Sequence, residues 1–193
     1  MRHAALARET AETRIQLELE LDGPGTSEIS TGHGFFDHML THVARHGKLN
    51  LRISAAGDLH VDDHHLVEDI GLCLGRALDE ALGEKRGIER FGFAFVTMDE
   101  ALARAVIDLS GRSFLVFHAA FNRDSINGFS LELVREFFRA VSTEGRMNLH
   151  LSVLYGTNAH HQVEALFKAF GRALHAAAQV TGGSSIPSTK GVL

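Results

Sequence analysis

The sequence predicts an α/β fold of the α+β type, built from one half-domain written twice. Each half is expected to be a β-sheet covered by helices, with the halves packed pseudo-symmetrically. Three observations predict it. "HHLVEDIGLCLGRAL" from His64 and "HHQVEALFKAFGRAL" from His160 share His-His-x-Val-Glu, then Gly-Arg-Ala-Leu, at a separation of 96 residues. Just upstream, "HGKLNLRISAAG" (His46 to Gly57) resembles "EGRMNLHLSVLYG" (Glu144 to Gly156), with Asn50 over Asn148 and Ser54 over Ser152 at an offset of 98. At the same offset "FFDHMLTHVARHG" lies over "LELVREFFRAVSTEG", and His38 falls on Glu136. Three consecutive elements in one register indicate an internal duplication. Residues 1–90 form the expected first half and residues 91–193 the second half with a C-terminal tail, together one compact unit.

The elements follow in chain order. "RIQLELELD" alternates with period two and predicts a strand. "GHGFFDHMLTHVARHG" carries Phe36, Met39, Leu40 and Val43 at helical spacing and stops at Gly47. "KLNLRISAAG" alternates again. "DDHHLVEDIGLCLGRALDEALG" predicts a helix with Asp62 or Asp63 as N-cap and Gly83 as terminator. In the second half, "FGFAFVTMD", "LARAVIDLS" and "SFLVFHAAF" predict strands, "SLELVREFFRAVSTEG" a helix and "MNLHLSVLYG" a strand. The last helix is "NAHHQVEALFKAFGRALHAAAQV", capped by Asn158. The pattern reduces to strand-helix-strand-helix in each half. The tail "TGGSSIPSTKGVL" is Gly/Ser-rich and predicts no regular structure.

Composition narrows the function classes. The net charge is -5 with no long single-sign run, which argues against a duplex nucleic-acid binder. No apolar run approaches the roughly 20 residues of a membrane helix, and the start "MRHAALARETAETRIQ" lacks a signal-peptide core. The single cysteine, Cys73, excludes a disulfide framework and points to a reducing cytoplasm. Histidine is the unusual count, 13 of 193 residues. Many imidazoles beside almost no thiol suggest imidazole and carboxylate metal ligation.

Spacing sharpens that suggestion. Successive helical residues diverge by about 100°, so His64 and His65 point apart and one ion cannot easily take both. Glu68 lies one turn beyond them, beside both; His160, His161 and Glu164 repeat the arrangement. Two ions are therefore expected, each completed from elsewhere, with the pseudo-equivalent His38 and Glu136 as further ligands. The donor set suits Mn, Fe or Zn. His3, His60, His118 and His175 have no partner pattern and read as surface or packing residues.

At these residues the chain closely resembles the imidazoleglycerol-phosphate dehydratase family. The matching motifs are "GFFDHML", "GDLHVDDHHLVEDIG", "MDEALARAVIDLSGR", "HHQVEALFKAFGRAL" and "IPSTKG", and the likeness runs from about Ala11 to the end. The resemblance implies a duplicated α/β half and two Mn2+ ions per active site. The implied ligands are His38, His64, His65, Glu68, Glu136, His160, His161 and Glu164. It also implies shells of 24 subunits with metal sites completed between neighbours. Two departures stand out: Glu136 where many relatives have histidine, and His42 where relatives often have glutamine.

The implied reaction converts D-erythro-imidazole glycerol phosphate to imidazole acetol phosphate and water. No carbonyl neighbours the proton to be removed, so the imidazole ring itself must supply electrons. Two metals on the ring nitrogens would stabilise an imidazolate, which expels the adjacent hydroxyl to a diazafulvene-like intermediate. A carboxylate then removes the neighbouring carbon's proton, and the enol becomes the ketone. Glu12 is the first candidate for this acid/base role, with Glu164 acting from the metal shell as another; His46 is a further substrate-side candidate, and Asp99 and Glu100 are expected to orient these groups. The resemblance assigns the phosphate to Arg90, Arg112, Lys168, Ser188 and Lys190, and the tail is expected to order over it. Two other readings stay open on the residues: a two-metal hydrolase of a small phosphorylated substrate, and a noncatalytic metal-binding shell.

Overall fold

The computed structural model describes residues 2–193. In chain order the elements are β1 (His3–Glu9), β2 (Thr13–Glu20), β3 (Ser27–Ser30), α1 (Gly34–Gly47), β4 (Asn50–Gly57) and α2 (His64–Leu82). They continue with β5 (Phe91–Met98), β6 (Ala101–Asp108), β7 (Phe114–His118), the short pair β8 (Ser125–Ile126) and β9 (Phe129–Ser130), α3 (Leu133–Glu144), β10 (Asn148–Tyr155) and α4 (Ala159–Ala178). The four-stranded sheets have the orders β1-β2-β4-β3 and β5-β6-β10-β7. These are one topology used twice, because β3 joins β4 in parallel and β7 joins β10 in parallel, each through a helical crossover.

The simple strand-helix-strand-helix pattern is corrected to β-β-β-α-β-α in each half, with the hairpin β8-β9 inserted before α3 in the second. Two first-half strands escaped prediction. In β1, the inward positions hold Ala4 and Leu6 and give only a faint apolar alternation. The four-residue β3, Ser-Glu-Ile-Ser, has a single strong strand former. The hairpin β8-β9 turns at Asn127-Gly128, both at positive φ, and so matches a mirror-image turn.

The helices form as their caps and faces dictate. Asn158 accepts hydrogen bonds from the backbone N–H of His160 and His161 and starts α4, a cap worth about 1 kcal/mol. At α2 the formal cap residue is Asp63, but it is Asp62 whose carboxylate accepts from His64 N–H, at 2.7 Å. Helix pairing crosses the halves: α1 packs on α4 and α2 on α3, between the two sheets. The matched glycines permit this approach. A Cβ on Gly75 would lie 2.6 Å from the Val141 carbonyl oxygen, and one on Gly171 would lie 2.9 Å from that of Val43. The aromatics Phe36, Phe137, Phe138, Phe167 and Phe170 fill the space between the helices. Among the described residues no helix is long and apolar enough to cross a membrane.

Candidate metal centre and active site

The repeat places a His-His-x-x-Glu group on the first turns of α2 and α4. As the helical period requires, the paired imidazoles diverge: ring centroids are 6.3 Å apart at 76° for His64 and His65, and 6.3 Å at 83° for His160 and His161. One imidazole of each pair faces its own carboxylate. His160 Nε2 is 3.1 Å from Glu164, and His64 Nε2 is 3.9 Å from Glu68.

Packing of α1 on α4 brings His38 to 3.4 Å from Glu164. His38, His160 and Glu164 therefore present donor atoms that all lie within 4.8 Å of one another. Glu164 is nearly buried. Burial works to raise its pKa, yet Lys168 at 2.5 Å, His42 and His160 outweigh that and hold it at about 2. His42 adds its Nε2 at 3.1 Å from that of His38 and 3.3 Å from Glu164. Burial keeps His42 neutral, its pKa lowered to about 4 against the attraction of Glu164. His46 stacks one turn further along α1 and is likewise lowered, by burial and then by Lys168.

Packing of α2 on α3 puts the pseudo-equivalent His64, Glu68 and Glu136 on neighbouring turns, but their donor atoms do not converge as those of His38, His160 and Glu164 do. Arg139 ties the two carboxylates together at 2.8 and 2.7 Å. Sequence reasoning missed Arg139, because a helical arginine normally reads as a solvated charge.

The remaining imidazole of each pair turns to a sheet edge. His65 Nδ1 lies 3.0 Å from Asp58 and 3.7 Å from Glu12, and Asp58 raises its pKa by hydrogen bonding. These three form a second convergent donor group. Asp58 was not anticipated. It sits in the quoted "GDLHVDDHH", but the second half has no acidic residue at the corresponding place. His161 Nδ1 lies 2.7 Å from Glu100. That contact, together with the backbone N–H of Asn158 and Thr157, lowers the Glu100 pKa to about 2. Asp99 stands in the turn itself, largely exposed and 3.8 Å from His161, so the short contact belongs to Glu100.

The proposed phosphate contacts divide. Arg90 donates to Asp108 at 2.7 Å and to the Pro187 carbonyl at 2.8 Å, tying it to the tail. The tail also hydrogen-bonds Gly87 through Ser185 and ends beside Gly111, next to Arg112. Ser188, half-buried, and Lys190, exposed, lie on this tail segment. Lys168 is instead committed to Glu164.

Comparison with known proteins places this arrangement. A profile of the family described as imidazoleglycerol-phosphate dehydratase matches residues 31–174. The imidazoleglycerol-phosphate dehydratase of an Exiguobacterium species is 54% identical over 191 residues, covering 99% of this chain and 98% of the relative. That of Methanococcoides burtonii is 55% identical over 193 residues, covering all of both. Among solved structures, the enzyme from Staphylococcus aureus superposes with a TM-score of 0.84 at 41% identity, covering 93% of this chain and 99% of that one. The Pyrococcus furiosus enzyme in complex with (S)-C348 superposes with a TM-score of 0.85 at 39% identity, covering 97% and 100%.

Proposed function

This chain belongs to the imidazoleglycerol-phosphate dehydratase family, hydro-lyases of histidine biosynthesis, and we propose that it dehydrates D-erythro-imidazole glycerol phosphate to imidazole acetol phosphate using two Mn2+ ions. The observation that carries the reading is the convergence of His38, His160 and Glu164 where α1 meets α4. The donors are imidazole and carboxylate, with the sole thiol, Cys73, buried elsewhere, a set that fits Mn2+. His38, His160 and Glu164 would hold one ion, and His64, Glu68 and Glu136 the other. His65 and His161 point away from these groups and would complete the sites of a neighbouring subunit. When bound, the ions supply Lewis-acid charge compensation for the substrate's five-membered ring.

The protein's own groups do the rest. Glu12 is half-exposed at the mouth of its hairpin and 3.7 Å from His65, free to take a proton from carbon. Glu100 is occupied by His161 and two backbone donors, so it orients an imidazole and exchanges no proton. Arg90, Arg112, Ser188 and Lys190 would bind the phosphate and draw the tail over the site, excluding water. Lys168 fixes Glu164.

Self-association into a 24-subunit shell follows from the same premise. The second sheet supports it: Phe91, Phe93, Phe95 and Phe114 are exposed on its strands, 57–72% for the four. An apolar face of this kind on a folded chain marks an interaction surface. The corresponding first-sheet positions carry His3, Ala5, Ala7 and Thr26.

The test is turnover of imidazole glycerol phosphate by the Mn2+-loaded protein, following ketone and inorganic phosphate together. Ketone without phosphate release is expected. Phosphate release without ketone would replace the reading with a hydrolase.

A further inference from the structure

The two hairpins that carry Glu12 and Glu100 are the same turn in the two halves. Gln16 pairs with Ser54, and Arg104 pairs with Ser152. Ser54 and Ser152 are already equivalent, so β2 maps onto β6 at an offset of 88. Glu12 then falls on Glu100, Thr13 on Ala101, and Arg8 on Val96. Asp69, one residue beyond Glu68, falls on Ala165.

The first half therefore buries a polar group where the second has alanines. Thr13 and Asp69 are almost inaccessible, 4% and 7% exposed. Thr13 Oγ1 donates to Asp69 at 2.5 Å, and Arg8 bridges Asp69 at 2.9 Å. Thr13 Oγ1 also meets Thr10 Oγ1 at 3.2 Å, and Thr10 Oγ1 accepts the backbone N–H of Glu12 at 3.1 Å. An unbroken hydrogen-bonded line thus runs from the buried carboxylate to the Glu12 backbone. Burying a carboxylate and a hydroxyl, with the counter-ion Arg8 still partly exposed, costs stability relative to apolar groups of similar size, and Ala101 with Ala165 shows that this architecture does without them. The difference matches what each glutamate lacks. Two backbone donors and His161 hold Glu100 in place. The side chain of Glu12 has no such clamp, and its turn is held from beneath.

We infer that Asp69, Thr13 and Thr10, with Arg8 as counter-ion, form a positioning relay that sets Glu12 against His65 and the reacting carbon. The inference rests on the reading of Glu12 as the group that moves the proton. Locking the backbone while leaving the carboxylate unclamped gives a base that is placed but still able to exchange a proton.

The test uses the full-length Mn2+-loaded protein and measures kcat, KM, metal content and thermal stability for each variant. Thr13→Val keeps the shape and removes the hydroxyl; its kcat should fall about 10–100-fold, as sub-ångström misplacement of a catalytic group does. KM and metal content should stay near wild type, and Thr13→Ser should restore kcat. Thr10→Ala, at an exposed position, leaves the Thr13–Asp69 bond in place and removes the acceptor for the backbone N–H groups of Glu12 and Thr13. It should lower kcat in the same direction and speed hydrogen exchange at the Glu12 amide. In a Glu12→Gln background, Thr13→Val should cost nothing further, since both act through one group. Undiminished kcat in Thr13→Val and Thr10→Ala, or a full additional loss in the Glu12→Gln background, overturns the relay while leaving the role of Glu12 intact. Near-normal activity of Glu12→Gln alone overturns the role of Glu12 and the relay with it.

Discussion

Nδ1 of His161 lies 2.7 Å from Oε2 of Glu100, whereas the pseudo-equivalent His65 and Glu12 stand 3.7 Å apart. One ancestral pairing has become a clamp in the second half and an open pair in the first. The two glutamates should therefore fail differently. Glu12→Gln is expected to lower kcat by about 100-fold or more with Mn2+ content unchanged. Glu100→Gln frees the His161 ring and should weaken Mn2+ binding about 10–100-fold, as loss of an orienting partner does. Isothermal titration with Mn2+ alongside steady-state kinetics separates the two.

Metal removal should act on assembly as well as on turnover. His65 and His161 point away from the donor groups of their own chain, so ions shared between subunits would tie copies together. Thorough chelation should lower the sedimentation coefficient, and added Mn2+ should restore it. An unchanged coefficient after chelation would show that the exposed phenylalanines suffice.

Helix contact between the halves is tight enough to be tested by one methyl group. A Cβ at Gly75 would meet the Val141 carbonyl oxygen at 2.6 Å and the Gly145 nitrogen at 2.8 Å, both backbone atoms. Gly75→Ala should destabilise by about 1–3 kcal/mol. Gly171→Ala, 2.9 Å from Val43 oxygen and 3.0 Å from Gly47 nitrogen, should behave alike. Denaturant midpoints measure both.

Cys73 is buried on α2, and burial pushes its thiol up to about 11. At pH 8 the thiolate is about 100-fold scarcer than for an ordinary cysteine, and only the thiolate alkylates. Iodoacetamide should react far more slowly with the folded chain than with the denatured one. A folded pKa raised above the unfolded one holds its full stabilisation below pH 9 and loses it as pH rises toward 11. The stability difference between wild type and Cys73→Ala should therefore narrow across that alkaline interval.

The helices were the legible part of this sequence. The apolar spacing of Phe36, Met39, Leu40 and Val43 sets α1, and the oxygen of Asn158 starts α4 as its position suggests. Repeated His-His-x-x-Glu groups could be placed on helices because their spacing is a helical property. What stayed hidden depends on strand pairing. The helical repeat runs at offsets of 96 and 98 while the leading hairpins run at 88, so comparison at the helical offsets never sets Glu12 over Glu100. Asp58 has no acidic counterpart in the second half, and Arg139 shows its purpose only once α2 and α3 meet.

The exchange of helix partners between the halves carries a consequence for synthesis. While the first half leaves the ribosome, the sides of α1 and α2 that meet α4 and α3 have no cover, although their other sides can already lie on the first sheet. The α1 partner is α4, far downstream in the chain, so that face of the nascent protein stays open until α4 has been made. A chaperone that shields this face until α4 emerges is expected to raise the yield of folded chain.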